Sequence, residues 1–269
     1  MKLSYIAFII MLAVEFSLVG LFPSPPRMTE ASVNVDVTEV EQSAYLLVML
    51  LDSGRIVVDR NQTLINDRRL GEKGFTPEVF ENQVMEELRV RTGVDMRSFG
   101  EAIVPSLARR FLPILMQVSK ETVASAQLVI NQRGIGYKNF IPASFARLAA
   151  SRFSSKSQII LKQVALHPRN PKNTPDVYEE KVLNRWINQS GRVQPHSESI
   201  EAAETGKIFR MMVPLYYEKA CLECHGTPAG MLDISGYPRE GSREGDLAGA
   251  ISVLIPVSRL AEAPDRMLK

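Results

Sequence analysis

The chain of 269 residues contains only two cysteines, and both lie in Cys221-Leu222-Glu223-Cys224-His225. No disulfide framework can hold such a fold, and the two thiols share one role beside a histidine. Stability must therefore come from an ordinary apolar core. With 45% apolar and 23% charged residues the chain has the material for one. Its 32 basic and 30 acidic residues leave a formal charge of +2, without the basic stripe that a phosphate backbone requires, which argues against a nucleic-acid partner.

In Cys-x-x-Cys-His each thiol can add to one vinyl group of a porphyrin while the histidine sets an imidazole nitrogen under the iron; the short spacing lets all three reach one macrocycle. The expected cofactor is one covalent haem c, bound by Cys221, Cys224 and His225, with His225 as an axial ligand to the iron. Two other chemistries compete. Zinc would need two further ligands, but His167 and His196 are single and show no paired spacing. A dithiol redox centre would open a helix within a strand–helix alternation, which is absent. Candidate sixth ligands are Met211, Met212, His167 and His196, none at a spacing that commits it. Met211 and Met212 are neighbours on a strand and face opposite ways, so at most one approaches the haem, and core packing competes for both. His167 and His196 also read as solvated or hydrogen-bonding side chains. There is no Ser/His/Asp arrangement, phosphate-cradling loop or metalloprotease helix, so no enzyme activity is expected. Trp186 reads as a core residue, and Glu86-Glu87 and Arg109-Arg110 as solvated faces.

Residues Leu3 to Phe22 form an apolar run behind Lys2, closed by Pro23, Pro25 and Pro26. The run is long and its cleavage site poor, so an uncleaved single-pass anchor is favoured over a signal peptide, although Glu15 is costly inside a span. Lys2 and Arg27 barely orient it. Orientation follows from the haem motif, because cytochrome c maturation acts on the periplasmic side of a bacterial inner membrane.

From Val35 to Leu51 apolar residues recur at helical spacing, running on through Ile56 to Val58. Thr76-Pro77-Glu78 starts a second helix that ends near Gly93, a third spans about Pro105 to Asn131, and a fourth about Ala143 to Phe153. Beyond Ser155 a turn-rich loop precedes a helix from Val177 to Asn188. Strand-like runs follow at Arg192 to Ser199, Lys207 to Tyr217 and Ala248 to Val257, the last with Ile251, Val253 and Ile255 on one face. Strands after helices predict an α+β fold with a mostly antiparallel sheet. The expected organisation is an anchor at 1–27, a helical region at 28–133 and a haem domain at 134–269.

Several segments together resemble the family of c-type haem proteins with a PAS-like fold, found in periplasmic sensor regions of bacterial signalling proteins and as a free cyanobacterial protein recovered with photosystem II. They are Asn61-Gln62-x-x-Ile65-Asn66-Asp67, Lys73-Gly74-Phe75-Thr76-Pro77-Glu78, Phe140-Ile141-Pro142-Ala143, Arg169-Asn170-Pro171-x-Asn173, the haem motif with Gly226, and Gly245-Asp246-Leu247-x-Gly249. The resemblance implies a PAS-like antiparallel sheet carrying the haem, with long N-terminal helices, and places Arg169 and Asn173 near the haem or bracing its loop. It departs in two respects. Receptor members continue into a second span and an output domain, whereas this sequence stops at Lys269, so signalling is expected to need a partner. The cyanobacterial relative uses a cysteine as second axial ligand, which falls near Ile141 or Pro142 here, an apolar stretch without a donor.

The expected function is a membrane-anchored periplasmic haem protein acting as a redox or gas sensing module, with a diatomic gas as its candidate ligand, working through a membrane or periplasmic partner protein or as a homodimer. The competing reading is an electron-transfer subunit of a respiratory or photosynthetic membrane complex.

Overall fold

A computed structural model describes residues 36–99, 104–202 and 206–262. The expected anchor at Leu3 to Phe22 lies outside them; among the described residues no helix is long and apolar enough to cross a membrane.

The long helix expected after the apolar run is α1 (Val37–Arg60), which Asp36 caps by accepting the Thr38 N–H at 2.9 Å. Its apolar side chains are too dense for one stripe, and Leu47, Val48, Leu51, Val57 and Val58 are fully buried. The helix is therefore enclosed on several sides, by α3 (Pro77–Thr92), α4 (Ser106–Ile130), α5 (Pro142–Ser157) and the sheet. Gly54 permits the closest approach: a Cβ there would meet the Phe145 ring at 2.5 Å. A single turn, α2 (Gln62–Ile65), follows α1. Thr76 and Pro77 start α3 as their types dictate, with the Thr76 hydroxyl accepting the Val79 N–H, and Gly93 ends it at φ 74°.

Four strands, β1 (Ile160–Val164), β2 (His196–Ala202), β3 (Gly206–Tyr216) and β4 (Leu247–Pro256), form one antiparallel sheet in the order β1-β4-β3-β2. The fold is α+β. Alternation splits the sheet faces as expected: Phe209, Met211, Val213, Ile251, Val253 and Ile255 join the helical core, while Val164, Met212 and Ala250 pack on α6 (Val177–Ile187) through Val182, Leu183 and Trp186. The sheet thus lies between a layer of α1, α4 and α5 and a single covering helix. A short α8 (Val257–Glu262) follows β4.

Three details differ from the sequence reading. Strand β1 is additional; it is short and, among the described residues, pairs only with β4. Strand β2 begins at His196 and not at Arg192, because Val193 gives its N–H to the Tyr216 hydroxyl at 2.6 Å and not to a neighbouring strand. Glu87 is buried, and its carboxylate meets Arg60 at 2.6 Å across α1 and α3, so it is a helix-to-helix tie. Among the described residues one apolar core runs from Val40 to Val257.

Candidate functional site

After β3 the chain makes a 3-10 turn at Lys219–Cys221 and then α7 (Leu222–His225), a single turn that carries the second thiol and the imidazole. Gly226 closes it, donating to the Leu222 carbonyl at 2.9 Å; a Cβ at Gly226 would sit 2.5 Å from that oxygen. Cys221 and Cys224 are half-buried and not disulfide-bonded. Burial pushes both thiols above their ordinary pKa, with the Asp233 charge adding to the effect at Cys224. These are neutral thiols, unlike the depressed thiol of a dithiol redox centre.

The chain from Gly226 to Gly245 makes an excursion closed by a bridge between Leu232 and Pro238. It returns two carboxylates to the motif. Glu240 Oε2 lies 2.7 Å from His225 Nδ1, and Ser242 donates its N–H to the His225 carbonyl at 2.8 Å. Burial alone would raise the Glu240 pKa, but hydrogen bonds from Arg169 and His225 outweigh it and hold the group below the usual carboxylate range. A charged Glu240 can only accept, so His225 donates from Nδ1 and Nε2 is left for ligation. The ring is also held from the side by Tyr217, with centroids 5.1 Å apart.

Arg169 ties these parts together. Its Nε donates to Glu240 Oε1 at 2.6 Å, one terminal nitrogen meets Asp233 Oδ2 at 2.6 Å, and the other donates to the Cys224 carbonyl at 2.8 Å and to Glu240 Oε2 at 2.9 Å. The Asp233 side chain is fully buried; burial would raise its pKa, but the Ser235 hydroxyl, Arg169 and the N–H groups of Tyr237 and Ser235 hold it far below the ordinary value. One guanidinium therefore braces both the thiol-bearing turn and the partner of the imidazole.

Other elements complete the surroundings. Asp59 and Arg55, in the last two turns of α1, act electrostatically on Cys221, and Tyr137 is within electrostatic reach of Cys224. Among the described residues Arg55 Nε and Arg239 Nε are buried without a hydrogen-bond partner. Two neutral thiols, an oriented imidazole and spare buried cationic donors are the set that a haem with carboxylate side chains needs, so the residues fit that group.

The remaining predicted residues lie elsewhere. Asn173 braces its loop, its carbonyl accepting the Ala165 N–H at 3.3 Å. Met211 pairs with Ser197, whose hydroxyl donates to Glu41 in the first turns of α1. Asp59, beside Cys221, is about 27 Å further along that helix. Met212 and its register partner His196 belong to the face covered by α6, where His196 stacks on Tyr178 at 6.1 Å. The structure thus separates Met211, Met212 and His196 from the motif. His167 is exposed, two residues before Arg169. Sequence reasoning missed Glu240, Asp233 and Tyr217. The two acids sit in a loop without periodicity, and only the resemblance singled out Arg169, without naming its partners.

A solved structure described as the crystal structure of the cyanobacterial heme-protein Tll0287 is similar at 22% identity and a TM-score of 0.38, over 56% of this chain and 96% of that one. No curated protein matches the chain. The family model described as Tll0287-like matches residues 38–256, four-fifths of the sequence and nearly all of the described fold, and the chain belongs to the Tll0287-like family.

Proposed function

We propose that the chain is a monohaem c-type protein in which Cys221 and Cys224 hold the porphyrin and His225 binds the iron. The observation that carries this reading is the oriented imidazole, its Nδ1 against Glu240 at 2.7 Å, in the same turn as two unpaired neutral thiols. The family is named for a protein described as a cyanobacterial heme-protein, which supports the same cofactor. When bound, the haem supplies an iron that exchanges one electron or takes a diatomic gas. This chain's residues fix the ring orientation, through Glu240 and Tyr217, and place negative charge behind the imidazole.

The functional reading is a redox or gas sensing module with an open or weakly held sixth position, acting through a partner protein or by homodimerisation. It is supported by the placement of Met211 at the far end of α1 and of Met212 and His196 against α6. The sequence supports an inner-membrane anchor at Leu3 to Phe22 with the folded part in the periplasm. The test is carbon monoxide binding to the reduced protein. A sharp shift of the Soret band is expected. A low-spin spectrum unmoved by carbon monoxide would overturn the open site, favour electron transfer and make His167 the donor to replace next.

A further inference from the structure

On the sheet face covered by α6, away from the haem motif, a cleft of about 510 Å³ opens between that helix and strands β2 and β3. Tyr178, Lys181 and Arg185 recur at three- and four-residue spacing on one side of α6 and line it, facing His196, Glu198 and Arg210 of the strands. The volume is in the range of small-molecule sites.

Its donors and acceptors are unbalanced. Of the acids, Asp176 is engaged, capping α6 through the Glu179 N–H at 2.8 Å and meeting Arg210 at 2.8 Å, while Glu198 is 44% exposed and 3.8 Å from His196. Two buried donors have no such partner. The Arg210 side chain is only 9% exposed, and its NH2 group serves Asp176 and Glu179, yet its Nε has no hydrogen-bond partner among the described residues. The Tyr178 hydroxyl is likewise buried and unpartnered among them, while its ring lies 4.2 Å under the same guanidinium. Burial keeps that phenol protonated, with its pKa pushed up to about 12. An unsatisfied buried donor costs free energy unless something accepts from it. Here two belong to a stacked pair of side chains, in a cleft that Lys181 and Arg185 also line.

We propose that this cleft binds a small organic carboxylate. Both donors are closed to solvent in the unliganded cleft, so binding includes a side-chain adjustment that turns Arg210 Nε and Tyr178 Oη to the two oxygens of one carboxylate, and Lys181 and Arg185, which also line the cleft, supply attractive charge. The Tyr178 and His196 rings and Val182 offer the carbon skeleton an apolar wall. Glu198 disfavours a more highly charged inorganic anion.

The experiment is calorimetric titration of the full haem-loaded chain with acetate, succinate and inorganic phosphate in a carboxylate-free buffer, beside Tyr178→Phe. Succinate or acetate should bind saturably with a Kd of about 1 mM or tighter. Tyr178→Phe removes only the orphan hydroxyl, so it should weaken that binding about tenfold and leave the unliganded melting temperature unchanged or higher. The proposal is overturned if neither carboxylate binds below about 10 mM, if phosphate binds as tightly, or if Tyr178→Phe leaves the affinity unaltered.

Discussion

His225 and Glu240 share a hydrogen bond of 2.7 Å, and the carboxylate that accepts it is charged because Arg169 grips both of its oxygens. A full negative charge behind Nδ1 makes Nε2 a stronger donor and favours the ferric state of an iron bound there. Glu240→Gln keeps the shape and removes the charge. It should raise the midpoint potential by on the order of tens of millivolts, read by spectropotentiometry. An unchanged potential would show that Glu240 only positions the ring.

Arg169 neutralises Asp233, whose side chain is fully buried, and also serves Glu240 and the Cys224 carbonyl. Arg169→Ala strands a buried carboxylate and should cost about 3–5 kcal/mol in urea denaturation, because the surviving charge keeps its desolvation penalty. Arg169→Lys should recover only part of this, since one ammonium cannot span three acceptors that a planar fork reaches at once.

Acid should weaken the fold through the same two carboxylates. Asp233 and Glu240 are both held below their ordinary values in the folded state, so the unfolded chain binds more protons as pH falls. Their contribution is fully present above the unfolded pKa values, about 4, and is lost as pH drops through the folded ones. The urea midpoint should be nearly flat from about pH 7 to 5 and fall below about pH 4. Arg169→Ala should flatten that fall.

Much of the fold is legible where one local signal decides it. Thr76 and Pro77 start α3, Gly93 stops it, and Ile251, Val253 and Ile255 face the helices because strand alternation leaves no other choice. The Cys221 to His225 segment stands out for the same reason: two thiols and an imidazole lie within one turn. The remainder depends on contacts between distant segments. Strand β1 is a five-residue segment whose partner, β4, is separated from it by the whole of α6, β2 and β3. Arg169 finds Asp233 and Glu240 only through the Gly226 to Gly245 excursion. Glu87 looks solvated on its own helix, yet it is buried and paired with Arg60 of α1.

Gly249 should be the least replaceable residue of the sheet. It lies at φ 143°, and a Cβ would stand 2.2 Å from the Val164 carbonyl, a backbone atom that cannot step aside without breaking the β1–β4 pairing. Gly249→Ala should destabilise the fold by more than about 2 kcal/mol. Gly93→Ala, at φ 74° in open space, should cost only about 1 kcal/mol. Thermal melts of the two variants side by side give the comparison.

Covalent haem attachment is the most direct test of the site. The chain should be produced in a host competent for cytochrome c maturation and weighed intact by mass spectrometry after denaturation, beside the Cys221→Ser, Cys224→Ser double variant. The expected result is one haem mass retained on the wild-type chain and absent from the variant. An unmodified wild-type mass, or haem that leaves the wild-type chain on denaturation, would contradict it.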